Sequence, residues 1–236
     1  MDGDGRADII LSGNDAVRVL TVDAGSAVVT IEHLFLVNGN AGTGQGGALH
    51  VASGDVTFSH GHIYHSSGAE GGGVYNAGTL TLDGATVAHN ASTGDGGGIF
   101  NDAGTLTLQT STVADNHAQG EGGGVAVYGG EALVSHSTIS ANIASGPEGI
   151  HGLYLTDNSV AGVAADVSVG HTILADNIGN SDGETHDVGG GAINSLGYNL
   201  FSSRGGHAVD GADATDVYGE AFLGSLADNG GAVETM

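Results

Sequence analysis

Short runs in which apolar and polar residues alternate recur along the chain, among them Leu80-Thr81-Leu82 and Leu106-Thr107-Leu108. Alternation with a period of two is the signature of a strand with one buried face, and no window sustains the i, i+3, i+4, i+7 apolar spacing of a helix. The runs come in sets. One set is Val74 to Asn76, Thr79 to Leu82 and Thr86 to Ala88, separated by Gly or Asn turns. The segment GGGVYNAGTLTLDGATVAHNAS from Gly71 returns as GGGIFNDAGTLTLQTSTVADNHA from Gly96 and more loosely as GGGVAVYGGEALVSHSTISANIA from Gly122, a period of 25 to 26 residues. An upstream copy, GGALHVASGDVTFSHGHIYHSS, starts at Gly46, and frayed copies flank the clean set. Three strands per repeat describe one triangular coil of a solenoid whose coils pair in parallel, so the expected fold is an all-β parallel β-helix, right-handed by the general preference of parallel crossovers. Length over period gives about nine coils and a rod on the order of 40 Å long at roughly 4.8 Å per coil. The even composition predicts one domain over 1–236, with an N-terminal start or cap over 1–15, repeat coils over 16–180 and irregular C-terminal coils over 181–236.

The repeat register predicts columns of like residues. Val87, Val113, Ile139 and Ile173 are expected to stack inside the coil, as are the pairs Leu80/Leu82 and Leu106/Leu108. Asn90, Asn116, Asn142 and Asn177 follow three or four residues later, with Ser66 and Asn38 in the same place in weaker copies. A stacked Asn bonds its amide to the amide of the next coil and tolerates left-handed turns, so this column reads as a structural asparagine ladder. The phrases GGGxxNxGTLTL and STVxxN, with NSLGYNLFSS from Asn194 and LADNGG from Leu226, resemble bacterial right-handed parallel β-helix repeat proteins of the choice-of-anchor Q and polymorphic outer membrane protein type. The resemblance spans roughly 16–236. It implies a secreted or surface-displayed, adhesin-like protein. The same fold also serves pectate-lyase-like enzymes, so the resemblance implies location more than chemistry.

Composition then removes whole classes of chemistry. Three Lys and Arg residues stand against 27 carboxylates, the formal net charge is −24, and there is no Cys or Trp. Such a chain has no lysine for a Schiff base and no thiol nucleophile, and its field repels nucleic acid and anionic membranes. No apolar stretch is long enough to span a bilayer. The start, MDGDGRAD, is acidic where a signal peptide is basic and then apolar, so an export signal and an anchor are expected to lie outside this stretch.

Three groups of residues are candidates for chemistry. The residue before each glycine turn is polar and mostly acidic: Gln45, Glu70, Asp95, Glu121 and, in a frayed copy, Glu148. Stacked carboxylates one coil apart repel by on the order of 1 kcal/mol each in high dielectric, so they call for open water or for a hard cation, of which calcium is the natural one. Asp2, Asp4 and Asp8 are interleaved with glycines like a calcium loop, although Arg6 occupies the fifth loop position and the bidentate Glu is missing; a cap-forming terminus is the competing reading. His65, His89 and Asp115 fall in one column and form a polar facet suited to a divalent metal or to acid–base work, against the plainer reading of scattered surface histidine.

A polysaccharide lyase needs cations to neutralise uronate carboxylates, and here Arg18 and Arg204 lie about seven periods apart. Paired carboxylates suit a glycoside hydrolase better, but none of the many pairs is singled out, and only eleven Phe and Tyr are present for sugar stacking. The pairs Thr79/Thr81 and Thr105/Thr107 form a flat TxT patch too short for ice binding. The expected function is a secreted or cell-surface, non-catalytic β-helical module whose partner is a polysaccharide or another cell-surface protein. A carbohydrate-active enzyme using surface carboxylates is the alternative, and a structural rod or spacer the third reading.

Overall fold

The computed structural model describes residues 9–147, 152–156, 162–179, 186–202, 214–221 and 223–224. Asp2, Asp4, Asp8, Arg6, Glu148, Arg204 and the LADNGG run lie outside the described residues. Within them the chain is all β, with no helix, and every strand pairing is parallel. A β-solenoid results.

One clean coil shows how the repeat folds. Val74–Asn76 forms side A, Thr79–Asp83 side B and Thr86–Ala88 side C. A fourth side of two residues, Ala91–Ser92, joins side C to the glycine loop that returns to side A. Side C is a nine-stranded sheet from Ile9–Ser12 to Val217–Tyr218, and the short fourth side is a five-stranded one. Sides A and B belong to a single twelve-stranded sheet, because the long strand Leu49–Ser59 bends around the corner and pairs with both Val74–Asn76 and Thr79–Asp83. Eight spacings of roughly 4.8 Å along the nine-stranded side set a rod of about 38 Å.

Sides A and B are carried through about seven turns, fewer than the nine obtained by dividing length by period, while side C has nine strands. Division fails because coils differ in length: Asn116 and Asn142 are 26 residues apart, whereas the next ladder step, to Asn177, takes 35.

Alternation along each strand sends one set of side chains into the coil. Side B contributes Val56/Phe58, Leu80/Leu82, Leu106/Leu108, Ala132/Val134 and Val167/Val169, all buried. Side C contributes the column Leu36, Ile63, Val87, Val113, Ile139, Leu174 and Phe201. Leu174, not Ile173, occupies the core place. Ile173 pairs with Thr138 on the other face, and only Leu174 stands three residues before its ladder asparagine, as Val87, Val113 and Ile139 do. Each buried Val, Leu or Ile contributes about 1.5–3 kcal/mol relative to exposure.

The asparagine ladder is present at the corner after side C. Asn90, Asn116 and Asn142 each donate from Nδ2 to the Oδ1 of the next ladder residue at 3.0 Å, and each backbone N–H donates to that same Oδ1. The other Nδ2 hydrogen goes back to the carbonyls of Ile63, Val87 and Val113. Asn177 ends the series by donating to Asp187 Oδ1 at 2.9 Å. Upstream, Ser66 takes the ladder place and Gly39 precedes it; Asn38 belongs to the preceding column. The corner between sides B and C carries a matching hydroxyl series, in which the N–H groups of Ala85, Ser111 and Ser137 donate to Ser111, Ser137 and Thr172.

The triple glycines serve the return loop. Gly71, Gly96 and Gly122 have φ of 61 to 64°, where a side chain is strained, and a Cβ on Gly71 would run into the carbonyl oxygen of Val74.

Candidate functional site

Side B is the broadest lateral surface, and its outward residues form columns fixed by parallel pairing. One column holds Thr30, Thr57, Thr81 and Thr107, then Leu133, Ser168 and Asn194. The column beside it holds Val28, Asp55, Thr79, Thr105, Glu131 and Asp166. Successive hydroxyls therefore repeat at the coil spacing of roughly 4.8 Å on a rigid backbone. The TxT patch of two coils is the C-terminal half of a four-coil threonine column. Thr30 escapes the repeat register because Leu20–Glu32 is irregular between Val22 and Val28, which puts extra residues into its coil.

Where the threonine column ends, the side is hollowed into a depression of about 350 Å³ lined by Thr105, Thr107, Glu131, Leu133, Asp166, Ser168 and Leu196. Leu133 and Leu196 are 39% and 51% exposed, an apolar floor beside two carboxylates that face each other across neighbouring coils. Apolar contact flanked by hydrogen-bond acceptors is what the mixed surface of a neutral sugar requires, since its C–H faces pack and its hydroxyls donate.

The acidic column before the glycine turns also stacks in register: the N–H groups of Gly46, Gly71 and Gly96 donate to the carbonyls of Glu70, Asp95 and Glu121. Its side chains are already wired into the fold. Gln45 Nε2 donates to Glu70 at 3.4 Å, and Asp95 accepts the Tyr128 hydroxyl at 2.5 Å and the Glu121 N–H at 2.6 Å. Glu121 is buried. Beside this ledge runs a row of rings on the outside of side A, Tyr75 on Phe100 at 5.7 Å, Phe100 on Tyr128 at 4.8 Å and Tyr128 on Tyr154 at 6.0 Å. Three of the eleven Phe and Tyr residues thus stack on one another, with Tyr154 tilted against Tyr128, and Tyr75, Phe100 and Tyr154 are buried. Burial, together with hydrogen bonds to Asp102 and Asp95, pushes the phenols of Tyr75 and Tyr128 well above their usual 10.0.

His65, His89 and Asp115 occupy consecutive coils of one column, with the two imidazoles stacked at 5.3 Å. Their φ angles, 52°, 55° and 54°, place all three in the left-handed region, together with Asn38, Ala141 and Asp176 of the same column. A second left-handed column, at the corner between sides B and C, holds His33, His60, Gly84, Thr110, His136, His171 and Tyr198. Six of the twelve histidines therefore sit where the corner demands a positive φ, a conformation His, Asn and Asp adopt more readily than most residues. Turn geometry accounts for half of the histidines.

Among the described residues no group of three His, Asp or Glu converges as a metal-binding cluster. Arg18 donates to the carbonyls of Gln45 and Gly46 and to Thr21 Oγ1, which closes the glycine corner at the first coil. Comparison with protein-family models, curated proteins and solved structures returned no match. No helix of the described residues is long and apolar enough to cross a membrane.

Proposed function

We propose that this chain is a non-catalytic recognition module of a secreted or cell-surface protein, of the adhesin-like repeat group it resembles, and that side B binds a neutral polysaccharide. The observation that carries this reading is the threonine column running into the depression between Glu131, Asp166, Leu133 and Leu196. A rigid ladder of hydroxyls binds without paying for ordering its own backbone, and an extended polymer along it gains from several weak contacts at once. The net charge of −24 favours uncharged glycans over polyanions.

A second reading has one specific observation behind it. Glu131 and Asp166 are direct neighbours on adjacent coils, and retaining glycoside hydrolases use two neighbouring carboxyl groups about 5–5.5 Å apart. Both are exposed.

One experiment separates the two. The protein is run through gels containing neutral or acidic polysaccharides, and the same mixtures are assayed for reducing ends. Retardation by a neutral glycan, reduced about fivefold or more in Thr107→Ala/Leu133→Asp and without product, supports recognition. Product formation that is lost in Glu131→Gln supports hydrolysis. Unchanged mobility on every glycan, without turnover, leaves a rod or spacer.

A further inference from the structure

We propose that the stacked histidines His136 and His171 form a two-imidazole site for a divalent transition metal ion, zinc or copper(II). Left-handed corners admit histidine but do not call for it: the corner between sides B and C also takes Gly84, Thr110 and Tyr198, and the column beyond side C also takes Asn38, Asp115, Ala141 and Asp176. What the backbone leaves unexplained is the pairing. The six corner histidines fall as His33/His60, His65/His89 and His136/His171, each pair on consecutive coils with near-parallel rings. Among the described residues no corner histidine lacks a second one in an adjacent coil.

His136/His171 is the tightest of the three pairs, with ring centroids 4.7 Å apart against 5.3 Å in the other two. Their backbones are held in register, the N–H of His136 on the Gly170 carbonyl at 3.1 Å and that of His171 on the Gly197 carbonyl at 3.0 Å, with φ of 51° and 54°. Both residues are exposed. An ion bound at about 2.0–2.1 Å to each of two imidazoles holds their nitrogens no more than about 4.2 Å apart. Exposed rings carried one coil apart reach that separation by a small turn about their side-chain torsions. Imidazole nitrogen suits zinc and copper(II), whereas calcium and magnesium take oxygen, and two protein ligands leave the remaining positions of the ion open to water. Thr110 and Tyr198, the corner residues of the flanking coils, add no positive charge, and the net charge of −24 draws cations to the surface.

The pair also brackets an unusually long coil. His136 and His171 are 35 residues apart, as are Asn142 and Asn177, where the preceding ladder step takes 26. One ion across both rings ties the start of that coil to its end, at the step where the chain has the longest loop to close. Binding therefore stabilises the fold there, and acid releases the ion because its ligands are neutral imidazoles.

Copper(II) makes the test direct, because it reports its own ligands. Added in less than equimolar amount to the full chain, in a buffer without metal ligands, Cu²⁺ is expected to give an electron paramagnetic resonance spectrum of two nitrogen ligands. His136→Asn and His171→Asn put at the corner a residue that accepts a positive φ, as Asn38 does, and each should weaken Cu²⁺ binding about tenfold or more and remove the two-nitrogen spectrum. His33→Asn/His65→Asn, which breaks the other two pairs, should leave both unchanged. At matched ionic strength Zn²⁺ should raise the melting temperature of wild type saturably and that of His171→Asn less, while Ca²⁺ should act no differently from NaCl. Circular dichroism confirms that each variant is folded. A spectrum of one nitrogen, or of carboxylate oxygens alone, overturns the proposal. So does Cu²⁺ binding that is unchanged in His136→Asn and His171→Asn, or that falls as far in His33→Asn/His65→Asn.

Discussion

Replacing Asn116 with Ala tests the internal wiring of the solenoid at its centre. Asn116 is fully buried, and its Oδ1 accepts both the backbone N–H and the side-chain Nδ2–H of Asn90 at 3.0 Å. Its own Nδ2 donates to the Val87 carbonyl at 2.9 Å and to Asn142 Oδ1 at 3.0 Å. Truncation strands two buried donors, each costing about 1–3 kcal/mol, so the expected loss is about 4 kcal/mol. For a domain of this size that corresponds to a fall in melting temperature of about 8–16 °C. Calorimetry of Asn116→Ala beside the outward, half-exposed Thr107→Ala measures it, with the control expected to stay within about 0.5 kcal/mol of wild type. Asn116→Asp adds a second check. It keeps the acceptors but turns an oxygen toward the Val87 carbonyl, so its deficit should be as large at neutral pH and shrink on acidification toward about 3.9, where protonation restores a donor. A melting temperature for Asn116→Ala within about 2 °C of wild type, less than 1 kcal/mol on this scale, would refute the ladder as a source of stability.

Three further outcomes follow from the same geometry. Because Tyr75 and Tyr128 hold their protons more tightly folded than unfolded, their contribution is complete below pH 10.0 and is lost as pH rises beyond it; absorbance titration should show two phenols ionising only with unfolding, and Tyr128→Phe should remove one of them. Asp187, fully buried, accepts from Asn177 Nδ2 and Ser202 Oγ, so Asp187→Ala should cost about 2–3 kcal/mol in denaturant unfolding. With Asp95 already bonded to Tyr128 and Glu121, NaCl and CaCl2 at matched ionic strength should raise the melting temperature equally, whereas a saturable, calcium-specific rise that shrinks in Asp95→Asn would place the ion on the ledge.

Much of this fold is legible in the sequence because a solenoid writes each structural requirement once per coil. The strands Val74–Asn76, Thr79–Asp83 and Thr86–Ala88, the leucine pairs and the four ladder asparagines all follow from one period. Where coils change length, the reading slips. In the frayed copy Ile173 lies one residue off the core column that Leu174 holds, and Gly39, one residue after Asn38, holds the ladder place in the first coil. The two-residue fourth side is too short to show any period. The site was less legible than the fold: Glu131, Leu133, Asp166 and Ser168 differ in type from coil to coil, and only register brings them beside Leu196. Histidine frequency pointed toward chemistry when much of it records left-handed corners.

The asparagine ladder has a direction. Every amide-to-amide bond runs toward the higher-numbered coil, and the series ends on a carboxylate, which can only accept. A unit of 26 residues, Asn90 to Asn116, hands on the same pattern it receives, so gene duplication or loss of such a unit in the middle of the rod leaves both flanking joints unchanged. One coil more or fewer between Asn90 and Asn142 should therefore change the length of the rod without breaking the ladder.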